Sequence, residues 1–150
     1  MATTITPATL TSTIQEDITL NGYAKGMTVT HSIITVGKSY NRIMEVGRES
    51  TPILLLGTTD SAGQIIGDEM KYFRITNVDD TNPLQIQFQY ASANNWVHRI
   101  GPGETFILMS NQSAANAHNT TAGTLEDITS IHGSSMGELG VEVELIAITV

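Results

Sequence analysis

The stretch that decides the fold is LQIQFQY, Leu84–Tyr90. Apolar and polar side chains alternate along it, with a glutamine at every second position. Because successive side chains of a β-strand point to opposite faces of a sheet, one face of this segment is apolar and the other is a row of glutamines. The pattern predicts a strand buried on one face, and makes Gln85, Gln87 and Gln89 candidates for contact with a partner. Exposure of the same row to solvent is the alternative, which alternation does not exclude.

The rest of the chain repeats this kind of segment. Short runs rich in Val, Ile and Thr recur at intervals of about ten residues, and Gly, Pro or Asn separates them. Asn21-Gly22 is a turn signal, and 141–150 alternates as 84–90 does. Since no window has a sustained helical period, the sequence predicts an all-β protein: a single-domain antiparallel β-sandwich or jelly roll.

The N-terminal segment differs from these strands. Residues 1–13 are uncharged side chains with six threonines, and they have too few apolar groups to form a core. We therefore predict an extended N-terminal arm over 1–13 and a β-sandwich domain over 14–150. In this interpretation Thr3, Ile5, Pro7 and Leu10 contact a neighbouring subunit. The alternative is that the arm adds an edge strand to the chain's own sheet.

Composition restricts the partners. Only 15% of the 150 residues are charged, against about 25% in typical soluble domains, and the net charge is −8. The seven basic residues are scattered, which argues against direct binding of nucleic acid or an anionic membrane. Thr, Asn, Ser and Gln supply the polar surface instead, and these cost less to desolvate than lysine or glutamate. Such a surface suits contact with a large partner.

Two further features bear on location and surface contact. The N-terminus lacks the pattern of a signal peptide, and the longest apolar run, ILLL at 53–56, is too short to span a bilayer, so we expect a soluble, non-secreted protein. The segment SNQSAANAHNTTAG, 110–123, predicts an exposed loop. Its candidate contact residues are Asn111, Asn116, His118 and Asn119.

The residues do not form a recognisable catalytic or metal-binding motif. The four histidines are far apart in sequence, and there is no cysteine. GSSMG at 133–137 superficially resembles a nucleophile elbow around Ser135, without the strand–helix scaffold that an elbow needs. Asp79, Asp80 and Asn82 offer oxygen ligands but not a full calcium pattern. Trp96, together with Tyr90 and Tyr23, is a candidate for stacking on a sugar, although a core role is more typical of a lone tryptophan. We predict a non-enzymatic protein with no cofactor and no metal.

The segment from Tyr72 to Met109 carries a recurring order of turns and strands. A strand ends in Ile-Thr-Asn, a polar turn follows, and then come an alternating strand, a short strand, a Pro-Gly-Glu turn and an apolar strand. These parts are Ile75–Asn77, Leu84–Tyr90, Trp96–Ile100, Pro102–Glu104 and Phe106–Met109. In this order the segment resembles small β-sandwich virion proteins of tailed bacteriophages.

The resemblance implies a structural role. It implies a capsid decoration, or cement, protein on the outside of a phage head, assembled in the host cytoplasm. Its partners would be the major capsid protein and other copies of itself, and it would clamp adjacent capsid subunits. Tail, neck and fibre proteins share the same turns, so a glycan-binding module using Trp96 and the 110–123 loop is the alternative.

Overall fold

The computed structural model describes residues 6–92, 94–113 and 125–150, and it consists of two compact units. The first comprises the residues up to Gly37, together with Val150, and the second runs from Lys38 to Thr149. The boundary predicted after residue 13 falls within the first strand, β1 (Ala8–Gln15). Residues 8–13 of the predicted arm therefore belong to β1, which pairs with the strand Thr28–Val36. The prediction had assigned that strand to the sandwich.

The first unit is a β-hairpin. Its further strands are β2 (Thr19–Leu20), β3 (Tyr23–Ala24) and β4 (Thr28–Val36). β1 pairs antiparallel with β4, and β2 pairs with β3 across the turn at Asn21-Gly22. Both turn residues have positive φ, 51° and 81°, as a type I′ turn requires, so the turn prediction is confirmed. In the described part of the chain, β1 and β4 form a sheet of two strands.

The second unit is an antiparallel β-sandwich, which confirms the predicted fold class. Its strands are β5 (Lys38–Val46), β6 (Thr51–Gly57), β7 (Gln64–Ile66), β8 (Met70–Asn77), β9 (Leu84–Tyr90), β10 (Asn95–Ile100), β11 (Thr105–Leu108), β12 (Gln112–Ser113), β13 (Glu126–Ser135) and β14 (Val141–Thr149), and a 3₁₀ turn occupies Gly67–Glu69. One sheet has the order β10-β9-β13-β6-β7, with β12 also paired to β13, and the other has the order β11-β8-β14-β5. The β6–β7 pair is parallel. Jelly-roll connectivity stays a prediction.

The core lies between these two sheets and follows the alternation read from the sequence. On β9 the four apolar side chains are at most 4% exposed, while the three glutamines between them are half-buried on the opposite face. β14 contributes Val141, Val143, Leu145 and Ala147 to the same apolar cluster. The alternation of 84–90 therefore predicted correctly which side chains enter the core.

Gly133 on β13 is required by the packing of the two sheets. A Cβ atom at this position would lie 2.7 Å from Cδ1 of Ile53 and 3.1 Å from Cγ1 of Val46. These distances are shorter than normal van der Waals contacts, so a larger residue would displace the buried side chains of Ile53 and Val46. The glycine lets β5 and β6 pack closely against β13.

Candidate interaction surfaces

The hairpin has two chemically different faces. Leu10, Ser12 and Ile14 of β1 are paired with Ile33, His31 and Val29 of β4, whereas Thr11, Thr13 and Gln15 are paired with Ser32, Thr30 and Thr28. Directly paired residues of an antiparallel ladder lie on the same side of the sheet. We call the side that carries Leu10, Ser12, Ile14 and their partners the apolar face, and the opposite side the threonine face. On the threonine face the hydroxyls of Thr13 and Thr30 are 3.4 Å apart.

The same register continues to the tip of the hairpin. Backbone hydrogen bonds join the amide of Glu16 to the carbonyl of Met27 and the amide of Lys25 to the carbonyl of Ile18, and Leu20 pairs with Tyr23. Residues 16–18 and 25–27 lie between the strands, but these hydrogen bonds keep the register. Regular alternation in that register assigns these pairs to the apolar face beyond Ile14 and Val29.

Most of the apolar face is open to solvent. Near the base Ile33 is buried and Leu10 is half-buried. Toward the tip the exposed fractions rise, to 44% for Ile14 and 72% for Tyr23. Of the sixteen large apolar side chains that are exposed among the described residues, seven lie in the hairpin: Ile14, Ile18, Leu20, Tyr23, Met27, Val29 and Ile34. Concentration of apolar side chains in one element is typical of an interaction surface.

A bulge lies at the base of the hairpin. Ala8 pairs with Val36 and Leu10 with Ile33, so two residues of β4 stand opposite one residue of β1. One of the two, Thr35, has a φ of +61°, which is unfavourable for a β-branched residue. Its Oγ1 donates a hydrogen bond of 2.6 Å to the carbonyl of Ile34. A bulge of this kind bends its strand locally and increases the twist.

The predicted arm residues are only partly covered by the structure. Leu10 lies on the apolar face, and Pro7 is exposed just before β1. Thr3 and Ile5 lie outside the described residues. Sequence reasoning missed the role of β4, although the alternation of Val29, His31 and Ile33 after the Asn21-Gly22 turn carried the signal.

The glutamine row lies on the outer face of its sheet and is flanked by neighbours from two strands. β10 contributes Asn95, Val97 and Arg99 beside Gln89, Gln87 and Gln85, and β13 contributes Ser130, His132 and Ser134. We call these nine residues the glutamine face. Arg99 is the one residue of the nine with a permanent charge, and Val97 is 48% exposed. Oε1 of Gln89 accepts a hydrogen bond of 2.9 Å from the hydroxyl of Ser130, which orders this side chain.

Asn77 joins the polar turn that follows β8 to the Pro-Gly-Glu turn. It is fully buried, and its Nδ2 donates to the carbonyls of Asn82 at 2.9 Å and Gly101 at 3.1 Å. Its Oδ1 accepts from the amide of Asp79 at 3.0 Å, and its own carbonyl accepts from the amide of Gly103 at 3.0 Å. The Asn of Ile-Thr-Asn thus holds the Pro-Gly-Glu turn. The Ile-Thr-Asn and Pro-Gly-Glu motifs thus have a structural role in the sandwich.

In the acidic turn after β8, backbone amides of the same turn donate hydrogen bonds to a carboxylate. Oδ1 of Asp79 accepts hydrogen bonds from the amides of Thr81 at 2.8 Å and Asn82 at 2.6 Å. The backbone hydrogen bonds from Asn82 and then Thr81 lower the pKa of the Asp79 carboxyl, because they stabilise its charged form. Within the described residues, no group of three or more His, Asp or Glu side chains is placed to hold a metal ion.

The serine of GSSMG also serves a turn. The hydroxyl of Ser135 donates to the carbonyl of Leu139 at 2.5 Å and accepts from the amide of Gly137 at 3.2 Å. It lies at the end of β13, next to a turn into β14. This position differs from the strand-to-helix elbow of a hydrolase, in which the hydroxyl points into an open site.

Trp96 packs against the edge of the core. Its ring centroid is 5.0 Å from that of Phe88 and 5.7 Å from that of Phe106. The ring of His98 stacks on it at 5.5 Å, with an angle of 17° between the planes. A sugar that stacks on a tryptophan needs an open ring face, and His98 lies against one face of this indole.

The predicted 110–123 loop is described only at its beginning. Gln112–Ser113 form the short strand β12, and the side chain of Asn111 is half-buried, with its carbonyl accepting a hydrogen bond of 2.9 Å from the amide of Ile128. Asn116, His118 and Asn119 lie outside the described residues. At its described end this segment is therefore tied to β13.

Comparison with known proteins adds no assignment. No family model matches the chain, and no curated protein or solved structure matches it significantly. Among the described residues, no helix is long and apolar enough to cross a membrane.

Proposed function

We propose that this chain is a non-enzymatic structural protein of a virion, a decoration or cement protein that binds the capsid exterior and links adjacent subunits. The observation that carries the proposal is the hairpin from Ala8 to Val36, whose apolar face is largely uncovered. A two-stranded hairpin alone is at best marginally stable in water. Binding to another molecule would cover the apolar side chains and stabilise the hairpin, which is the behaviour expected of a linking element.

The backbone of the hairpin supports the same role. In a two-stranded sheet, each strand has one edge whose amides and carbonyls face away from the other strand. Such edges accept a further strand, and apolar side chains beside them add affinity without a preformed pocket. The hairpin can therefore join neighbouring molecules through its edges, its apolar face, or both.

The glutamine face is the surface we assign to the capsid. Its residues are nearly uncharged, so docking requires little removal of water from ions. Glutamine, serine and asparagine side chains both donate and accept hydrogen bonds, which allows them to pair with an irregular protein surface. Many weak contacts of this kind, repeated around a symmetric shell, add up to tight attachment.

The virion assignment follows from the resemblance of the segment 72–109, and the major capsid protein is accordingly the proposed partner. The alternative, a tail, neck or fibre module that binds host glycans, would use Trp96 as an open ring for a sugar to stack on. Trp96 instead packs on Phe88 and Phe106 and is stacked by His98. We therefore favour the decoration protein.

The proposal can be tested by co-sedimentation with capsids of the virus that encodes the chain, after accessory proteins have been stripped from them. We expect saturable binding at a copy number that matches the capsid symmetry. Gln87→Lys, at the centre of the glutamine face, should weaken this binding. Asn41→Lys is the matched control, because Asn41 is an exposed position on β5 in the other sheet. The proposal fails if the intact protein does not bind, or if both variants bind equally well.

A further inference from the structure

We propose that the exposed part of the apolar face packs against the same face of a second copy of this chain, so that two hairpins form an antiparallel, two-fold symmetric dimer. This inference rests on the proposed function, in which the chain links subunits, and it names the partner of the hairpin. The occupant of the face is the segment 14–29 of the second copy.

The exposed part of the face has four levels. Each level is one cross-strand pair: Ile14 with Val29, Glu16 with Met27, Ile18 with Lys25, and Leu20 with Tyr23. Successive levels are two residues apart, which is about 7 Å along a strand. Six of the eight side chains are large and apolar, and each of the six is 44–72% exposed.

The order of the levels is self-complementary. In an antiparallel face-to-face arrangement, the outermost levels of one copy lie over the innermost levels of the other. The level with Ile14 and Val29 then meets the partner's Leu20 and Tyr23, so apolar side chains meet apolar side chains. The two middle levels also lie over each other.

Charge complementarity selects this arrangement. The middle levels each carry one charged residue, Glu16 in one and Lys25 in the other. In the antiparallel dimer Glu16 lies at the same level as the partner's Lys25, and by symmetry the second such pair forms as well. A parallel arrangement would instead bring Glu16 level with the partner's Glu16, placing like charges close together.

The distribution of charge over the chain favours contact between hairpins. Of the net charge of −8, residues 38–150 carry −7 and residues 1–37 carry −1. Two copies that approach through their sandwiches therefore bring two strongly acidic bodies together. Asp17, the remaining charge of the hairpin, falls on the threonine face in this register, away from the proposed contact.

The size of the contact sets the expected affinity. Burial of the six apolar side chains would remove on the order of 300 Å² of apolar surface per copy. The two copies together would bury about 600 Å² of apolar surface, below the total of about 1,200–2,000 Å² that stable specific interfaces bury, so the dimer belongs with weak, transient associations. We expect a dissociation constant on the order of micromolar for the free protein, and stronger association once many copies are held on a shell.

The first test is a charge exchange, measured by sedimentation velocity of the full chain over a range of concentrations. Glu16→Lys alone, or Lys25→Glu alone, places like charges at the same level and should weaken the dimer by about tenfold or more. The double variant Glu16→Lys/Lys25→Glu restores both opposite-charge pairs and should return the dissociation constant to within a few-fold of the original. A dimer that the double variant does not restore would contradict the proposed geometry.

The second test compares the two faces of the hairpin. Val29→Lys puts a charge into the proposed contact and should make the protein monomeric. Thr30→Lys puts the same charge on the next residue, which is also exposed but lies on the threonine face, and should leave the dimer intact. Circular dichroism of each variant checks that the sandwich stays folded. Equal effects of the two substitutions would overturn the assignment of the apolar face.

The outcomes separate this inference from the proposed function. If the free protein stays monomeric up to about 100 µM, far above the expected dissociation constant, the dimer is refuted, and a loss of capsid binding in Val29→Lys would then identify the capsid protein as the occupant. If the dimer forms as predicted and yet no capsid binding occurs, the proposed function fails while the dimer stands.

Discussion

The hairpin and the sandwich are built from strands with the same kind of alternation, but their apolar faces end in different environments. On β14, Val141, Val143, Leu145 and Ala147 are at most 1% exposed. On the hairpin, Ile14 and Val29 are 44% and 53% exposed. The difference arises because each sheet of the sandwich faces the other. Alternation fixes which side of a strand is apolar; a second layer decides whether that side is buried.

The largest expected effect separates the two regions by their contribution to stability. Leu145→Ala removes a fully buried side chain from the sandwich core and should lower the free energy of unfolding by about 2–5 kcal/mol. Leu20→Ala removes a side chain of the same type that is 59% exposed, and should change it by no more than about 0.5 kcal/mol in the monomer. Urea unfolding followed by circular dichroism measures both. Equal losses would mean that the hairpin is covered in the free monomer.

The next effect concerns the turns that close the sandwich. Asn77→Ala removes a fully buried amide that donates to the carbonyls of Asn82 and Gly101, so it should cost about 2–3 kcal/mol in the free energy of unfolding. Asn95→Ala, at an exposed position on β10, is the control and should stay within about 0.5 kcal/mol of the original. A loss of the same size in the control, or none at Asn77, would remove the role assigned to the buried amide.

The smallest effect depends on pH. The pKa of Asp79 is lowered in the folded protein, so its carboxylate stabilises the fold above its unfolded pKa of about 3.9, and this contribution is lost as pH falls through the folded value. Asp79→Asn should therefore lower stability at pH 7, and the difference from the original protein should disappear in strong acid. Thermal unfolding from pH 7 to pH 2 measures this.

Asp80→Asn is the control for the pH measurement, because Asp80 is exposed and accepts a hydrogen bond from the hydroxyl of Thr81 in the same turn. A difference between Asp79→Asn and the original protein that persists unchanged to pH 2 would show that the carboxylate charge is not what stabilises the turn. Neither substitution should change the stability of the hairpin.

Local sequence patterns predicted much of this structure. The alternation at 84–90 identified the buried face of β9, and Asn21-Gly22 identified a turn, because both depend on neighbouring residues in the chain. The glutamine face was predicted in part, since the row on β9 is local, but its flanking residues come from β10 and β13 by long-range pairing.

Other features depend on contacts that the sequence does not reveal. Asn77 is linked to Gly101 across 24 residues, so its burial could not be inferred from its neighbours. The stacking of His98 on Trp96, with Phe106 from another strand beside them, depends likewise on how two sheet edges meet. The bulge at Thr35 places a β-branched residue in a conformation that its type disfavours, which no propensity would predict.

The central claim is that a partner buries the apolar face of the hairpin, whereas each sheet of the sandwich buries the other. Amide hydrogen exchange of the free protein at two concentrations tests this claim most directly. At a concentration well below the dissociation constant of the dimer, we expect rapid exchange in the hairpin strands and strong protection in β9, β13 and β14. Well above that constant, the hairpin amides should become protected while those of the sandwich do not change. Strong protection of the hairpin at the lower concentration would contradict the account.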